Sequence, residues 1–338
     1  MISVIVPLYN EEKVVAELYR RLCCTAERLD TPAEFIFVDD GSVDQTVALL
    51  LQFRERDPRV KVICMSRNFG HQAAITCGIE HASGEAVVLM DGDLQDPPEL
   101  IPELATKWRD GFDVVYAVRR VRRGENPLRL ALMKTFYRVI RSLSDIDLPY
   151  NAGHFRLLSR VVVDQIRAMP ERNRFIAGMT IWVGFRQTSV EYDRDPRFAG
   201  ATKMSILRLL RFAMDGITSF SDMPLRFAVH LGLLVSGASA VYLLRALYQK
   251  FFTTIPPFGY TSLFVAVMFL GGVQMILLGV IGEYLARVYQ ETKRRPIYIA
   301  ARKFGFDREL TLSREFATGP REIVNNEQHT ANEANAVH

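Results

Sequence analysis

The sequence predicts an α/β protein built on a mostly parallel, doubly wound sheet, with a small membrane part behind it. Three observations predict this. Short apolar runs alternate with helical patterns over the first 118 residues. Two long runs without Asp, Glu, Lys or Arg follow. The mean hydropathy of +0.05 is high for a wholly soluble enzyme and low for a polytopic transporter. Taking the elements in order, Ile2–Val6, Phe35–Val38, Val60–Met65, Ala86–Met90 and Val114–Val118 are the apolar runs. Between them lie four helical patterns, Glu11–Leu29, Asp44–Arg56, Gln72–Ala82 and Pro97–Trp108. Ser42 is placed to N-cap the second, and prolines open the fourth, where a first helical turn accepts them. Strands buried on both faces read as continuous apolar runs, and intervening helices imply parallel pairing through right-handed crossovers. Residues 119–204 are mixed and Arg-rich, and are expected to complete the domain with helices and a few strands.

The membrane part has its own pattern. Ile206–Phe220 sets Leu, Ile and Phe against Arg208, Arg211 and Asp215, which suits a helix lying in a membrane interface. Phe227–Leu244 and Phe258–Gly282 are the uncharged runs. About 20 apolar residues cross a hydrocarbon core of roughly 30 Å. With Pro256–Pro257 between them, the two runs read as a transmembrane hairpin rather than as buried core helices. Arg208, Arg211 and Arg226 precede the hairpin, and Arg287, Lys293, Arg294, Arg295, Arg302 and Lys303 follow it, against Arg245 and Lys250 in the connection. That bias places both ends, and the α/β domain, in the cytoplasm. The expected organisation is a catalytic domain over 1–204, an interface-helix region over 205–226, two transmembrane helices over 227–285, and a basic segment with a disordered tail over 286–338.

Composition excludes several classes. The 338 residues carry 42 Lys+Arg and 38 Asp+Glu, and a net charge of +4 gives no case for a nucleic-acid partner. The four cysteines (Cys23, Cys24, Cys64 and Cys77) form no CxxC pair and no zinc set, and read as thiols buried in a reducing cytosol. Met1 leads directly into a strand pattern, so no cleaved signal peptide is expected.

Ligands of open parallel sheets bind at the carboxyl ends of the strands. Two acidic clusters fall there: Asp39-Asp40-Gly41-Ser42 after the second strand, and Asp91-Gly92-Asp93-Leu94-Gln95-Asp96 after the fourth. Two carboxylates in DxD spacing, on a turn that Gly92 leaves unhindered, can reach one hard cation, Mg²⁺ or Mn²⁺, of the kind held jointly with phosphates. Helix capping is the competing explanation for such Asp residues. Neither G-x-G-x-x-G nor G-x-x-x-x-G-K-[ST] occurs, which argues against a dehydrogenase or an ATPase. Phosphate charge would instead meet the metal and basic side chains. Arg119, Arg120, Arg122, Arg123 and Arg129 cluster after the fifth strand, as a solvated loop or as a fork for phosphate oxygens.

Four segments together resemble glycosyltransferase family two: Val4–Glu12, Val38–Thr46, Ser66–Gln72 and Asp91–Glu99. Phe155–Leu157, Glu171–Phe175, Trp182–Phe185, Arg194 through Lys203 and the hairpin narrow the resemblance. They point to the polyprenyl-phosphate glycosyltransferases, relatives of dolichyl-phosphate mannose synthase and bactoprenol glucosyltransferase, over about residues 2–304. The resemblance implies a GT-A fold and an inverting enzyme that moves a sugar from a nucleotide-diphosphate donor, favouring UDP, to polyprenyl phosphate. It implies that Pro7, Tyr9 and Glu11 line the nucleoside pocket, that Asp40 faces the base with Asp39 beside it, and that Asp91 lies near the donor ribose and diphosphate. Asp91, Asp93 and Gln95 would surround the metal. Arg119 and Lys134 would face the acceptor phosphate, and Arg194, Arg197 and Lys203 would close over the diphosphate. The chain departs from the family's common pattern at Asn151 and His154, where acidic residues are frequent, and at Ala177 and Met204, so the sugar does not transfer with the resemblance. A processive synthase shares the nucleotide half but needs a Gln-x-x-Arg-Trp motif that neither Trp108 nor Trp182 completes. A non-catalytic scaffold has no need of intact Asp91, Asp93 and Gln95. The oligomeric state stays open, a homo-oligomer included.

Overall fold

The structure, a computed structural model, describes residues 1–120, 152–193, 223–252 and 260–306. The described residues form two compact units: those within 1–102 and 298–306, and those within 103–193 and 223–297.

In the first unit, β1 (Ile2–Leu8) pairs in parallel with β2 (Ala33–Asp39) on one side and β4 (Ala86–Leu89) on the other, and β2 pairs in parallel with β3 (Val60–Met65). Helices α1 (Val15–Ala26), α2 (Thr46–Arg56) and α3 (His71–His81) make the connections. Every residue of β1 and β2 is buried, Ser3, Glu34 and Asp39 included, which is why the two strands are predominantly apolar. Helix α1 buries Val15, Leu18 and Leu22, the i, i+3, i+7 stripe that a one-sided helix needs. Helix α3 buries every residue from Ala73 to Ile79. A 3₁₀ turn at Pro98–Leu100 leads into α4 (Ile101–Arg109).

The last strand of this unit, β8 (Ala300–Phe304), pairs antiparallel with β3, Val62 opposite Phe304 and Met65 opposite Ala300. Tyr298 Oη donates to Glu80 Oε2, the Ser66 N–H donates to the Ile299 carbonyl at 2.9 Å, and Phe306 packs edge-on to His81 at 5.5 Å. At the amino ends of the strands, buried Glu34 accepts hydrogen bonds from Ser3 and Ser83 and pairs with Lys61 at 2.6 Å. The sequence pattern predicts no strand in the basic segment after the hairpin.

In the second unit, β5 (Val114–Arg119) lies between antiparallel β6 (Ala152–Ser159) and parallel β7 (Gln187–Tyr192). Helix α5 (Arg160–Ala168) buries Val162, Val163 and Ile166, and α6 (Ile176–Trp182) buries Ile176–Thr180. Two long helices follow, α7 (Met223–Phe252) and α8 (Tyr260–Thr292). Glu291 of α8 accepts the backbone N–H groups of Arg172 at 2.9 Å and Asn173 at 3.2 Å. Among the described residues one helix is long and apolar enough to cross a membrane, over Ala266–Thr292. The expected run Phe227–Leu244 lies wholly within α7. The expected interface helix and the Pro256–Pro257 connection lie outside the described residues.

Two expectations are corrected. Ser42 does not cap α2, which starts at Thr46 without a side-chain cap; Ser42 Oγ instead accepts the Asn10 N–H at 2.8 Å. Of the four cysteines, Cys64 and Cys77 are buried, Cys23 is half-buried and Cys24 is exposed.

Candidate active site

Because β2 and β4 both pair in parallel with β1, the turns after them emerge at one edge of the first unit's sheet. The chain leaving β1 carries buried Pro7, exposed Tyr9 and half-buried Glu11 to the same edge. It is stitched to the turn after β2: the Val43 N–H donates to Asn10 Oδ1 at 2.9 Å, and the Glu11 N–H donates to Thr46 Oγ1 at 2.9 Å.

Asp39 and Asp40 are 2% and 4% exposed. The Asp39 carboxylate accepts the N–H groups of Gly41 and Ser42, each at 3.2 Å. Asp40 reaches to the loop after β3, where Oδ1 accepts the Phe69 N–H at 2.7 Å and Oδ2 the Gly70 N–H at 2.9 Å. Burial raises both carboxyls above the usual range, and the backbone donors oppose it. Gly41 permits this contact between loops: its φ is 78°, and a Cβ there would lie 2.6 Å from the Arg67 carbonyl carbon and 2.8 Å from the Asn68 nitrogen.

After β4, half-buried Asp91, Asp93 and Gln95 alternate with buried Gly92, Leu94 and Asp96. The turn lies flush on the end of β1, since a Cβ on Gly92 would come within 2.4 Å of Leu8 Cδ2. The Gln95 N–H donates to Asp93 Oδ1 at 3.1 Å, and His71 Nε2 lies 2.9 Å from Asp91 Oδ1. Among the described residues no group of three or more His, Cys, Asp or Glu side chains is gathered for a metal ion. Two carboxylates and the Gln95 amide nevertheless supply hard oxygens, and Mg²⁺ is commonly held by one or two carboxylates plus substrate phosphates and water. The residues present fit a cation that arrives with a diphosphate.

The second unit holds Arg119, the last residue of β5, half-buried and opposite Tyr192 in the β5–β7 ladder. Its Nε donates to Tyr192 Oη at 3.0 Å, and a Cβ on Gly153 would lie 2.7 Å from its Nη2. Tyr192 is buried with its ring edge-on to Phe155. Arg120 instead faces Glu191 at 3.4 Å and Asp193 at 3.6 Å. Lys134, Arg194, Arg197 and Lys203 lie outside the described residues, as do Arg122, Arg123, Arg129 and Asn151.

The structure thus gathers Pro7, Tyr9, Glu11, Asp39, Asp40, Asp91, Asp93 and Gln95 at one edge of one unit, and sets Arg119 in the other. Sequence reasoning gave His71 no role. The available signal was its place: the first residue of α3, directly after a loop at the carboxyl end of β3.

Residues 3–167 match the model of Glycosyl transferase family 2, and residues 223–288 match the GtrB C-terminal hairpin. The uncharacterized glycosyltransferase YkcC of Bacillus subtilis is 46% identical over 305 residues, 90% of this chain and 94% of that protein. The prophage bactoprenol glucosyl transferase homolog of Escherichia coli is 40% identical over 301 residues, 89% of this chain and 98% of its own. The bactoprenol glucosyl transferase of Shigella phage SfV is 41% identical over 298 residues, covering 88% and 97%. These matches run from the first strand of the sheet through the helical pair, and the chain is a glycosyltransferase of family 2, with a GT-A fold and a GtrB C-terminal hairpin.

Proposed function

We propose that the protein moves a sugar from a nucleotide-diphosphate donor, a UDP-sugar favoured over a GDP-sugar, to polyprenyl phosphate, with inversion at the anomeric carbon. The observation that carries this reading is the pair of acidic turns, Asp39–Asp40 and Asp91–Asp93, at one strand-end edge beside the Tyr9–Glu11 segment. The names of two relatives matched over nearly their whole lengths support bactoprenol, a polyprenyl lipid, as the acceptor.

In this reading Pro7, Tyr9 and Glu11 line the nucleoside pocket, Asp39 and Asp40 stand at the base, and Asp91 faces the ribose and diphosphate. Asp91, Asp93 and Gln95 hold Mg²⁺ or Mn²⁺, which compensates the charge of the leaving diphosphate. Arg119 and Lys134 receive the acceptor phosphate, and Arg194, Arg197 and Lys203 close over the donor. A phosphate monoester has a second pKa of about 6 and is largely dianionic at neutral pH, so it attacks without a protein base. The protein's task is alignment and charge compensation. Two anions a few ångströms apart repel by roughly 4 kcal/mol at an effective dielectric near 20, which gives a cation at Arg119 its purpose.

The same reading places the enzyme in the cytoplasmic membrane as a multi-pass protein. Residues 1–204 form the catalytic domain, 205–226 lie in the interface, 227–285 cross twice, and 286–338 return to the cytoplasm. The β3–β8 ladder supports it: residues 300–304 and 60–65 share one sheet, so the chain between them crosses any membrane an even number of times. With Ala266–Thr292 as one crossing, α7 is the natural second.

Membranes containing the protein, incubated with undecaprenyl phosphate and a panel of radiolabelled UDP- and GDP-sugars, test the reading. A labelled lipid extractable into organic solvent is expected from one UDP-sugar, and Asp93→Ala should abolish it. A labelled polymer, or no transfer from any donor, would overturn it.

A further inference from the structure

We infer that His71 is a positioning residue: its imidazole fixes the Asp91 carboxylate in the orientation in which that group meets the donor's diphosphate and cation. The inference rests on the role proposed for Asp91. His71 Nε2 lies 2.9 Å from Asp91 Oδ1, and since an ionised carboxylate only accepts, Nε2 carries the shared proton. One oxygen of Asp91 is thereby tied to a ring that cannot swing freely.

The ring is held because the chain carrying it is held from both sides. Just before it, the N–H groups of Phe69 and Gly70 are clamped on the two oxygens of Asp40. The Arg67 guanidinium lies 4.1 Å over the Phe69 ring. Just after it, α3 is anchored by the unbroken buried stretch Ala73–Ile79. The segment from Phe69 to His71 is therefore a short rigid arm with Asp40 at one end and Asp91 at the other. It ties the acidic turn after β2 to the acidic turn after β4, two turns that no backbone ladder joins directly, since β1 lies between their strands.

A folding role does not account for this contact. The His71 and Asp91 side chains are 40% and 24% exposed, and an ion pair or hydrogen bond that wet contributes little to stability. Its effect should appear where Asp91 acts. Outer partners that orient a metal-ligating group typically change metal affinity or activity 10–100-fold when removed.

The test uses the full-length protein in detergent, with UDP and Mn²⁺ as probes and electron paramagnetic resonance of free and bound Mn²⁺ as readout. His71→Ala should weaken Mn²⁺ binding to the UDP complex about 10-fold, with metal-free UDP affinity and melting temperature unchanged. His71→Gln, whose amide N–H can reach Asp91 in place of Nε2, should recover most of the loss. Wild-type Mn²⁺ affinity in His71→Ala, alongside loss in Asp93→Ala, would overturn the positioning role and leave the reading of the acidic turn standing. A His71→Gln variant as weak as His71→Ala would overturn it too, because the donated bond would not be its source. Absence of Mn²⁺ binding in the wild-type UDP complex would remove both the positioning role and the metal reading.

Discussion

Gly41→Ala tests the close approach on which the proposed donor side of the site depends. Two costs arise from the structure. With φ at 78°, an alanine at this position is left-handed, which costs about 1–2 kcal/mol. Its Cβ would also sit 2.6 Å and 2.8 Å from backbone atoms of Arg67 and Asn68, and backbone cannot rotate away as a side-chain tip can. Forcing an extra carbon into a packed contact costs about 1–3 kcal/mol, so the total is roughly 2–5 kcal/mol. Relief must come from the loop after β3 moving off Asp40, which breaks the bonds to Phe69 and Gly70. UDP affinity should therefore fall along with stability. Gly41→Asn separates the two costs: asparagine tolerates positive φ but carries the same Cβ. Denaturant unfolding of the detergent-solubilised protein, with UDP titration by calorimetry, should show Asn recovering less than about 1 kcal/mol of the loss. If Gly41→Asn matches wild type in both, the contact between these loops is not what keeps position 41 a glycine.

Three further outcomes are expected. Arg119→Ala should raise KM for polyprenyl phosphate and lower kcat, for roughly a 10- to 100-fold loss in kcat/KM, with UDP affinity little changed; Tyr192→Phe, which removes the hydroxyl that accepts from Arg119 Nε, should act in the same direction more weakly, and steady-state kinetics with varied lipid would show it. Glu34 is held below its ordinary 4.5 because the bonds from Lys61, Ser3 and Ser83 outweigh burial, which pushes it up. Its folded pKa is depressed, so its contribution is present above about pH 4.5 and lost as pH falls through the folded value; Glu34→Gln should flatten that acid limb in stability measured against pH. Removal of residues 298–338 should strip hydrogen-exchange protection from those β3 amides that pair with β8, while the amides directed at β2 keep theirs.

The first unit was legible because its signals are local. A strand covered on both faces has few polar positions, and Val60–Met65, with Lys61 its one charged residue, matches to the residue; the other runs differ by a few positions at their ends. The acidic turns were legible for the same reason, since they follow runs whose ends are sharp. Contacts between turns were not. Ser42 has a capping residue's chemistry, but it lies next to Asn10 only after β1 and β2 have paired in register, and the Asn10 N–H takes it. His71 joins Asp91 across 20 residues, and nothing in the spacing of either announces the other. Strand β8 was hidden by its charges: Arg302 and Lys303 read as membrane-flanking cations, while Cys64 and Ile63, their partners in the ladder, lie far back in the chain.

That strand sets an order on synthesis. Residue 62 leaves the ribosome long before residue 304, which it must meet; at 5–20 residues per second the interval is about ten to fifty seconds. Throughout it, β3 presents an open row of N–H and C=O groups at the rim of an otherwise complete parallel sheet, the kind of rim to which other chains attach. Both α7 and α8 are made during that wait. The nascent first unit therefore stays unsealed until the helical pair has been translated, and a chain arrested between them would leave its bare strand open to other chains.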